Sequence, residues 1–298
     1  MRVVAIWGRA LRAQRGQYTV WMILSTPSPL LAPGGQLLLV GVALALYGLA
    51  ALPLAALKRL SAAALLGGFA LHALLLLIDI AGVGQPQGGA RLGFGPVLSV
   101  TVWLVIAVYT VESRWLPMPV VRRWLGLAGV LAVLVAGLFP GEFRPVTLAL
   151  APLHFVLGVG SYGLFGAAVL HALLLDAAER RLRPLAASAP RGAATPSSGM
   201  PLLQLERITF RFVQAGFVAL TITLLLGIVS TTHWRWADHK AVFSLLAWCV
   251  FAALLLGRQL RGWRGKRATR WLYVGATLLL LAYAGSRFVL EVLLGRTV

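Results

Sequence analysis

The histidines offer the widest choice of chemistry in this sequence, and there are only five of them in 298 residues. A neutral imidazole can exchange protons, bind a metal ion or form hydrogen bonds inside a protein. The single cysteine, Cys249, lies in an apolar run and excludes an intrachain disulfide and a cysteine-rich metal site. There is no HExxH zinc motif, and no third group completes a hydrolase triad with Ser161 and His154. The histidines therefore remain as the candidates for a functional site.

Eight apolar stretches could position these histidines, each about the length that crosses a bilayer, roughly 20 residues. The chain is 59% hydrophobic and 12% charged, which is about half the charged fraction of a soluble domain. We predict an all-α polytopic membrane helix bundle of about eight transmembrane helices, without strands. The predicted spans are 36–57, 61–83, 94–113, 124–140, 150–175, 210–232, 240–257 and 271–294.

Lys and Arg are distributed unevenly over the connections between these spans. Connections after helices 1, 3, 5 and 7 hold 17 of them, and the opposite connections hold 4. The positive-inside rule then places the first set in the cytoplasm and both ends of the bundle outside. The longest connection, 176–209, is rich in Pro, Gly and Ser, which predicts a flexible loop. The net charge of +19 thus reflects orientation in a lipid bilayer, and we expect no nucleic-acid partner.

The first residues do not fit this orientation. We divide the chain into an N-terminal extension, 1–35, and a transmembrane domain, 36–298. The segment 1–21 carries four arginines that should stay inside, whereas Met22 leads directly into the first span. We therefore predict that translation starts at Met22 and that 1–21 is not translated. The alternative is a short basic arm.

Three histidines lie at the outward face on this topology. His154 begins the fifth span, and His233 and His239 precede the seventh. A haem iron can take two axial imidazoles from opposite faces of its ring, which two helices entering the membrane at one depth can supply. We predict His154 and His239 as the ligands of a haem iron. The alternative is that both are ordinary residues of the membrane interface and its loops.

Nearby residues could hold the rest of a haem. Trp234 and Trp236 could cover the flat apolar macrocycle, or they could form the aromatic belt of the membrane surface. Arg287 lies in the outer half of the eighth span, where an unpaired guanidinium is costly, and could bind a propionate. Alternatively, Arg287 pairs with Glu291 one turn on or with Asp79.

The remaining features lie deeper in the predicted bundle. His72 is near the bilayer midplane, where a hydrogen bond to a neighbouring helix would satisfy its ring. His171 is near the inner end of the fifth span and is interpreted as an interfacial residue. The small residues Gly158, Ser161 and Gly163 of the GVGSYG segment predict close helix packing.

Two long segments carry a family resemblance, LHFVLGVGSYGLFGAAVLHALLLDAAERRLR and HKAVFSLLAWCVFAALLLGRQLRGWRGKRATRWLYVGATLLLLAYAGSRFVLEVLL. The shorter pieces LHALLLL and GFGPVLSVTVWLV agree with it. These segments resemble the cytochrome c assembly family, which includes CcmC, CcsA and HemX-like proteins. They are most similar to its HemX-like (YpjD-like) inner-membrane branch. The resemblance covers most of the chain from about residue 36.

The resemblance implies a protein of the bacterial inner membrane that handles haem at the outer face, in cytochrome c maturation or haem homeostasis. Its partners would be haem and other cytochrome c assembly or membrane proteins. By similarity, His154 and His239 are the outer ligands and His72 is an internal one. The segment HWRWADHK stands where better-known haem-handling members have a longer tryptophan-rich loop, and it keeps two tryptophans and Asp238.

Other functions stay open at this point. Haem transfer requires no bond-making by the protein, so we expect no enzyme. The first alternative is a haem-free accessory or regulatory subunit of another membrane protein. The second is a small-solute transporter, although the sequence shows no inverted repeat of broken helices.

Overall fold

The structure is a computed structural model, which describes residues 33–53, 58–80, 89–114, 118–145, 150–188, 199–230 and 239–285. Eight α-helices run through these ranges, so the prediction of an all-α bundle of about eight helices is confirmed. The elements are α1 (Pro33–Ala51), α2 (Lys58–Asp79), β1 (Gly89–Leu92), α3 (Phe94–Glu112), α4 (Pro119–Leu138), β2 (Glu142–Pro145), α5 (Ala151–Ser188), α6 (Gly199–Ser230), α7 (His239–Arg261) and α8 (Gly265–Leu280), which continues as a π-helical turn over Leu281–Gly285.

Six of the helices, α2 to α7, are long and apolar enough to cross a bilayer. Helix α1 is a shorter apolar helix, and α8 has 16 residues before its π-helical turn. Large apolar side chains such as Leu131 and Val156 are exposed on the outside of the bundle, as expected where lipid is the solvent. The direction in which the ends face, the division at residue 36 and the start at Met22 stay predictions, and residues 1–32 lie outside the described part.

Two predictions about the connections are wrong. The segment 176–209 is not mainly a loop, because α5 continues to Ser188 and α6 begins at Gly199. Its start, DAAERRLR, is rich in strong helix formers, so the helix extends past the apolar run. The chain also contains strands, since β1 pairs antiparallel with β2, with Gly89 opposite Pro145 and Leu92 opposite Glu142. We call the end of the bundle with this strand pair the outer end and the opposite end the inner end, after the predicted orientation.

The helices form two packed groups. Helices α1 to α4 enclose a core around Tyr47, Ile106 and Leu125. Helices α5 to α8 enclose a second core, where the rings of Phe165 and Phe251 stack with centroids 3.8 Å apart. Each group thus buries its own apolar centre, and the two groups must be joined by a contact between them.

Helices α3 and α5 provide that contact through small residues. A Cβ at Gly163 would lie 2.6 Å from Cδ1 of Leu104, and one at Gly166 would lie 2.8 Å from Cγ2 of Val105. Real Cβ atoms do not approach so closely, so glycine is required for this separation of the helices. The close helix packing predicted from the GVGSYG segment is therefore confirmed.

Candidate functional site

His154 lies in the first turn of α5, at the outer end of the bundle. Its backbone N–H donates a hydrogen bond to the carbonyl oxygen of Leu150 at 3.0 Å. The ring packs against Gly227 of α6, where a Cβ would lie 3.3 Å from Cε1 of His154. One turn further in, a Cβ at Gly158 would lie 3.5 Å from Cγ2 of Thr223. Gly227 thus leaves the space that the imidazole occupies.

The Nδ1 atom of His154 is buried and has no hydrogen-bond partner among the described residues. The residue as a whole is partly exposed. In a neutral imidazole one ring nitrogen donates and the other accepts, so a buried nitrogen without a partner is a cost to the fold. This ring therefore keeps a coordinating or hydrogen-bonding atom that the fold itself does not use.

His239 is the first residue of α7, nine residues after the end of α6. Gly227, which contacts His154, lies three residues before that end. The two histidines therefore belong to helix ends on one side of the bundle, in agreement with the predicted topology. The side chain of His239 lies outside the described part, so the pairing of the two rings on one iron stays a prediction.

The other predicted haem contacts cannot be placed. Trp234, Trp236 and Arg287 lie outside the described residues, as does His233. Asp79, considered as a partner of Arg287, accepts a hydrogen bond from Nε2 of Gln36 at 3.2 Å and interacts electrostatically with Arg91. The roles of the two tryptophans and of Arg287 stay predictions.

His72 on α2 has very different surroundings. Its Nε2 lies 2.7 Å from Oγ of Ser99 on α3, and its Nδ1 lies 3.1 Å from the hydroxyl oxygen of Tyr47 on α1. All three residues are at most 1% exposed. The prediction that a neighbouring helix satisfies this histidine is confirmed. Both ring nitrogens thus have partners within the bundle, and the ligand role that the resemblance implies for His72 stays a prediction.

Tyr47 is itself held tightly between glycines. A Cβ at Gly129 of α4 would lie 2.8 Å from the Tyr47 ring, and one at Gly68 of α2 would lie 3.0 Å from it. Tyr47, His72 and Ser99 therefore form a closed hydrogen-bonded cluster that links α1, α2 and α3. We refer to these three residues as the buried polar cluster.

His171 lies near the inner end of the bundle, where it is buried between helices. Its Nε2 lies 2.8 Å from Oε2 of Glu112, the last residue of α3, and its Nδ1 lies 2.8 Å from the carbonyl oxygen of Ala167. Its ring is also 5.3 Å from that of Phe212 on α6. Sequence reasoning missed Glu112, although an acidic residue at the end of an apolar helix signals a need for a partner.

Two further polar contacts at the inner end were not predicted. Asp176 accepts hydrogen bonds from the hydroxyl groups of Tyr273 at 2.9 Å and Thr269 at 3.3 Å. Arg258 donates to Glu206 at 2.8 Å. Within the described ranges, three or more His, Cys, Asp or Glu side chains never converge as a metal site would require. The inner end is thus held by paired contacts, and the unpaired imidazole is at the outer end.

Comparison with known proteins gives the family. The Cytochrome C assembly protein family matches residues 36–294. The chain is 30% identical to inner membrane protein YpjD of Escherichia coli over 213 residues, which is 70% of this chain and 77% of YpjD. It is 29% identical to cytochrome c biogenesis protein CcsA of Gloeobacter violaceus over 128 residues, 41% of this chain and 37% of that protein. No solved structure matches.

A second CcsA, from Prochlorococcus marinus, is 34% identical over 87 residues, 28% of this chain and 27% of that protein. The similarity to CcsA thus covers about a third of those proteins or less, whereas the similarity to YpjD covers most of both chains. With six helices apolar enough to cross a bilayer, the chain is a multi-pass protein of the bacterial inner membrane. It belongs to the cytochrome c assembly protein family.

Proposed function

We propose that this protein binds haem at the outer end of the bundle through His154 and His239, and that it acts in cytochrome c maturation or haem homeostasis. The observation that carries the proposal is the unpaired, buried Nδ1 of His154. Three imidazole rings are described, and the rings of His72 and His171 have partners at both nitrogens. Two of the compared relatives are named cytochrome c biogenesis proteins, which supports haem as the ligand.

Haem would supply an iron that imidazole nitrogens can bind. In our proposal His154 and His239 would hold that iron. Trp234 and Trp236 would cover the macrocycle, and Arg287 would pair with a propionate. The contact with Gly227 fixes the His154 ring between α5 and α6, so little side-chain freedom is lost when it binds.

The test is the absorption spectrum of the purified protein, with its own haem or after addition of haem. We expect a Soret band for the native sequence and the loss of most of that band in His154→Ala and in His239→Ala. His171→Gln is the matched control, because it removes a histidine at the inner end. Gel filtration checks that each variant is folded. An unchanged Soret band in both outer variants would remove the site assignment.

The same experiment separates the proposal from its nearest alternative. A folded native protein without a Soret band, even with added haem, would indicate a haem-free accessory or regulatory subunit. Gly227→Ala offers a finer test, since its Cβ would meet the His154 ring at 3.3 Å. We expect this variant to keep its fold and to bind haem more weakly than the native sequence.

A further inference from the structure

Five basic residues without an ion-pair partner in the described part of the chain lie in the turn between α7 and α8 and on the helix ends that flank it. They are Arg261, Arg264, Lys266, Arg267 and Arg270, and we call this group the basic turn. Gly262 with φ 61° and Gly265 with φ 56° allow the chain to reverse there within a few residues. All five basic side chains are exposed. The fold thus concentrates positive charge at one point of the inner end.

The acidic residues of the inner end do not neutralise this charge. In the described part of the chain four acidic residues lie at this end, and three of them have hydrogen-bond or ion-pair partners. These are Glu206 to Arg258, Glu112 to His171, and Asp176 to Tyr273 and Thr269. The fourth, Glu179, has its Oε1 3.6 Å from the position of a Cβ on Gly265. Hydroxyl donors leave the charge of Asp176 in place, so two carboxylates, those of Asp176 and Glu179, stand against five cations.

Two tryptophans in contact with the basic turn indicate that it lies at the level of the lipid headgroups. The rings of Trp263 and Trp271 lie 5.5 Å apart, and Cζ of Arg267 is 4.3 Å from the Trp263 ring. Trp263 also covers Gly257, where a Cβ would lie 2.5 Å from its ring. Tryptophan concentrates where lipid headgroups meet the hydrocarbon, and the cation–π contact holds a guanidinium at that level.

Apolar surface adjoins the charge on the membrane side. Leu260 is 79% exposed and Leu256 is 54% exposed on the last turns of α7. An exposed apolar face directly beside uncompensated cations matches a molecule with an anionic head and acyl chains. Arg and Lys side chains bind phosphate oxygens with strong, charge-assisted hydrogen bonds.

We propose that the basic turn binds an anionic phospholipid of the leaflet that the inner end faces. Arg264, Lys266 and Arg267 hold the phosphate, and the acyl chains lie along the exposed side of α7. The first turn of α8 has no acidic residue, so the bound phosphate also compensates the positive end of the helix dipole. This site is independent of haem and lies at the opposite end of the bundle from His154.

The experiment is native mass spectrometry of the full chain in detergent with added phosphatidylglycerol or phosphatidylcholine. We expect the native sequence to retain phosphatidylglycerol preferentially. Each removed charge should weaken this binding roughly fivefold, so the variant R264Q/K266Q/R267Q should lose on the order of a hundredfold. The matched control R59Q/R114Q/R123Q removes three charges from the inner end outside the basic turn and should retain the preference.

Other outcomes would overturn the proposal. Equal losses in both triple variants would show a general effect of surface charge, and no preference in the native sequence would exclude the site. Displacement of the lipid by inorganic phosphate would show a site for free anions only. The conservative variant R264K/R267K keeps the charge and should still prefer phosphatidylglycerol, even if the glutamine variant is misfolded.

Discussion

Two histidines, one in each half of the bundle, have opposite surroundings. In α1 to α4, His72 has a hydroxyl partner at each ring nitrogen and is 1% exposed. In α5 to α8, His154 has a buried Nδ1 without a partner in the described part of the chain. Both nitrogens of the His72 ring take part in hydrogen bonds, whereas Nδ1 of the His154 ring does not. Of these two histidines, His154 is therefore the stronger ligand candidate.

The difference is also one of free energy. Hydrogen bonds compensate the desolvation of the His72 ring, so its burial need not destabilise the protein. An unsatisfied buried polar atom costs about 1–3 kcal/mol of folding free energy. The fold bears this cost at His154 and avoids it at His72. This difference is expected if His154 binds a ligand and His72 stabilises the packing of the helices.

The largest expected effect is on stability, from His72→Ala. The variant creates a cavity and leaves the hydroxyl groups of Tyr47 and Ser99 without their partner. We expect a loss of about 2–4 kcal/mol in the free energy of unfolding. His154→Ala should change that free energy by less, because removing the unpaired nitrogen offsets the packing lost against Gly227. Unfolding in mixed micelles would measure both, and equal losses would contradict the contrast between the two rings.

A smaller loss is expected from Gly129→Ala, which tests the packing around the buried polar cluster. The new Cβ would lie 2.8 Å from the Tyr47 ring and would force that ring to move. We expect a cost of about 1–3 kcal/mol in the free energy of unfolding. Gly137→Ala is the matched control on the same helix, since its Cβ would meet nothing within 4 Å. That control should be neutral or stabilising by up to about 1 kcal/mol.

The smallest expected effects on stability come from removing each of the two hydrogen bonds of the His72 ring separately. Ser99→Ala and Tyr47→Phe should each lower the free energy of unfolding by about 0.5–1.5 kcal/mol, with the shorter bond to Ser99 contributing more. The same variants combined with His72→Ala give double-mutant cycles. Because the partners share one ring, the losses should not add, and strict additivity in thermal unfolding would show that the cluster is not coupled.

Much of the fold could be predicted from the sequence, because the thickness of the bilayer sets the length of each apolar stretch that crosses it. Helix α3 was predicted at 94–113 and runs from Phe94 to Glu112. The extended ends of α5 and α6 were missed because helix propensity, not hydrophobicity, continues them past the bilayer. The four-residue strands carry too little pattern for such a prediction.

The candidate site was less accessible to sequence reasoning. The sequence predicts that His72 needs a partner, but Tyr47 and Ser99 lie on other helices, 25 and 27 residues away. Which faces of apolar helices meet depends on their rotation about their axes, and helices that are apolar on every side give no sign of it. The unpaired nitrogen of His154 could not be predicted either, because it results from the way the ring packs against Gly227 of another helix.

The strand pair has a consequence for motion at the outer end. It links the connection between α2 and α3 to the connection between α4 and α5, and β2 ends nine residues before His154. The outer end of α5 is therefore tethered to the first helix group, while Glu112 and His171 fasten α3 to α5 at the inner end. Sliding of one group past the other would break both fastenings at once. These two fastenings hold α5 to the first helix group at two levels, and neither of them involves α6 or α7.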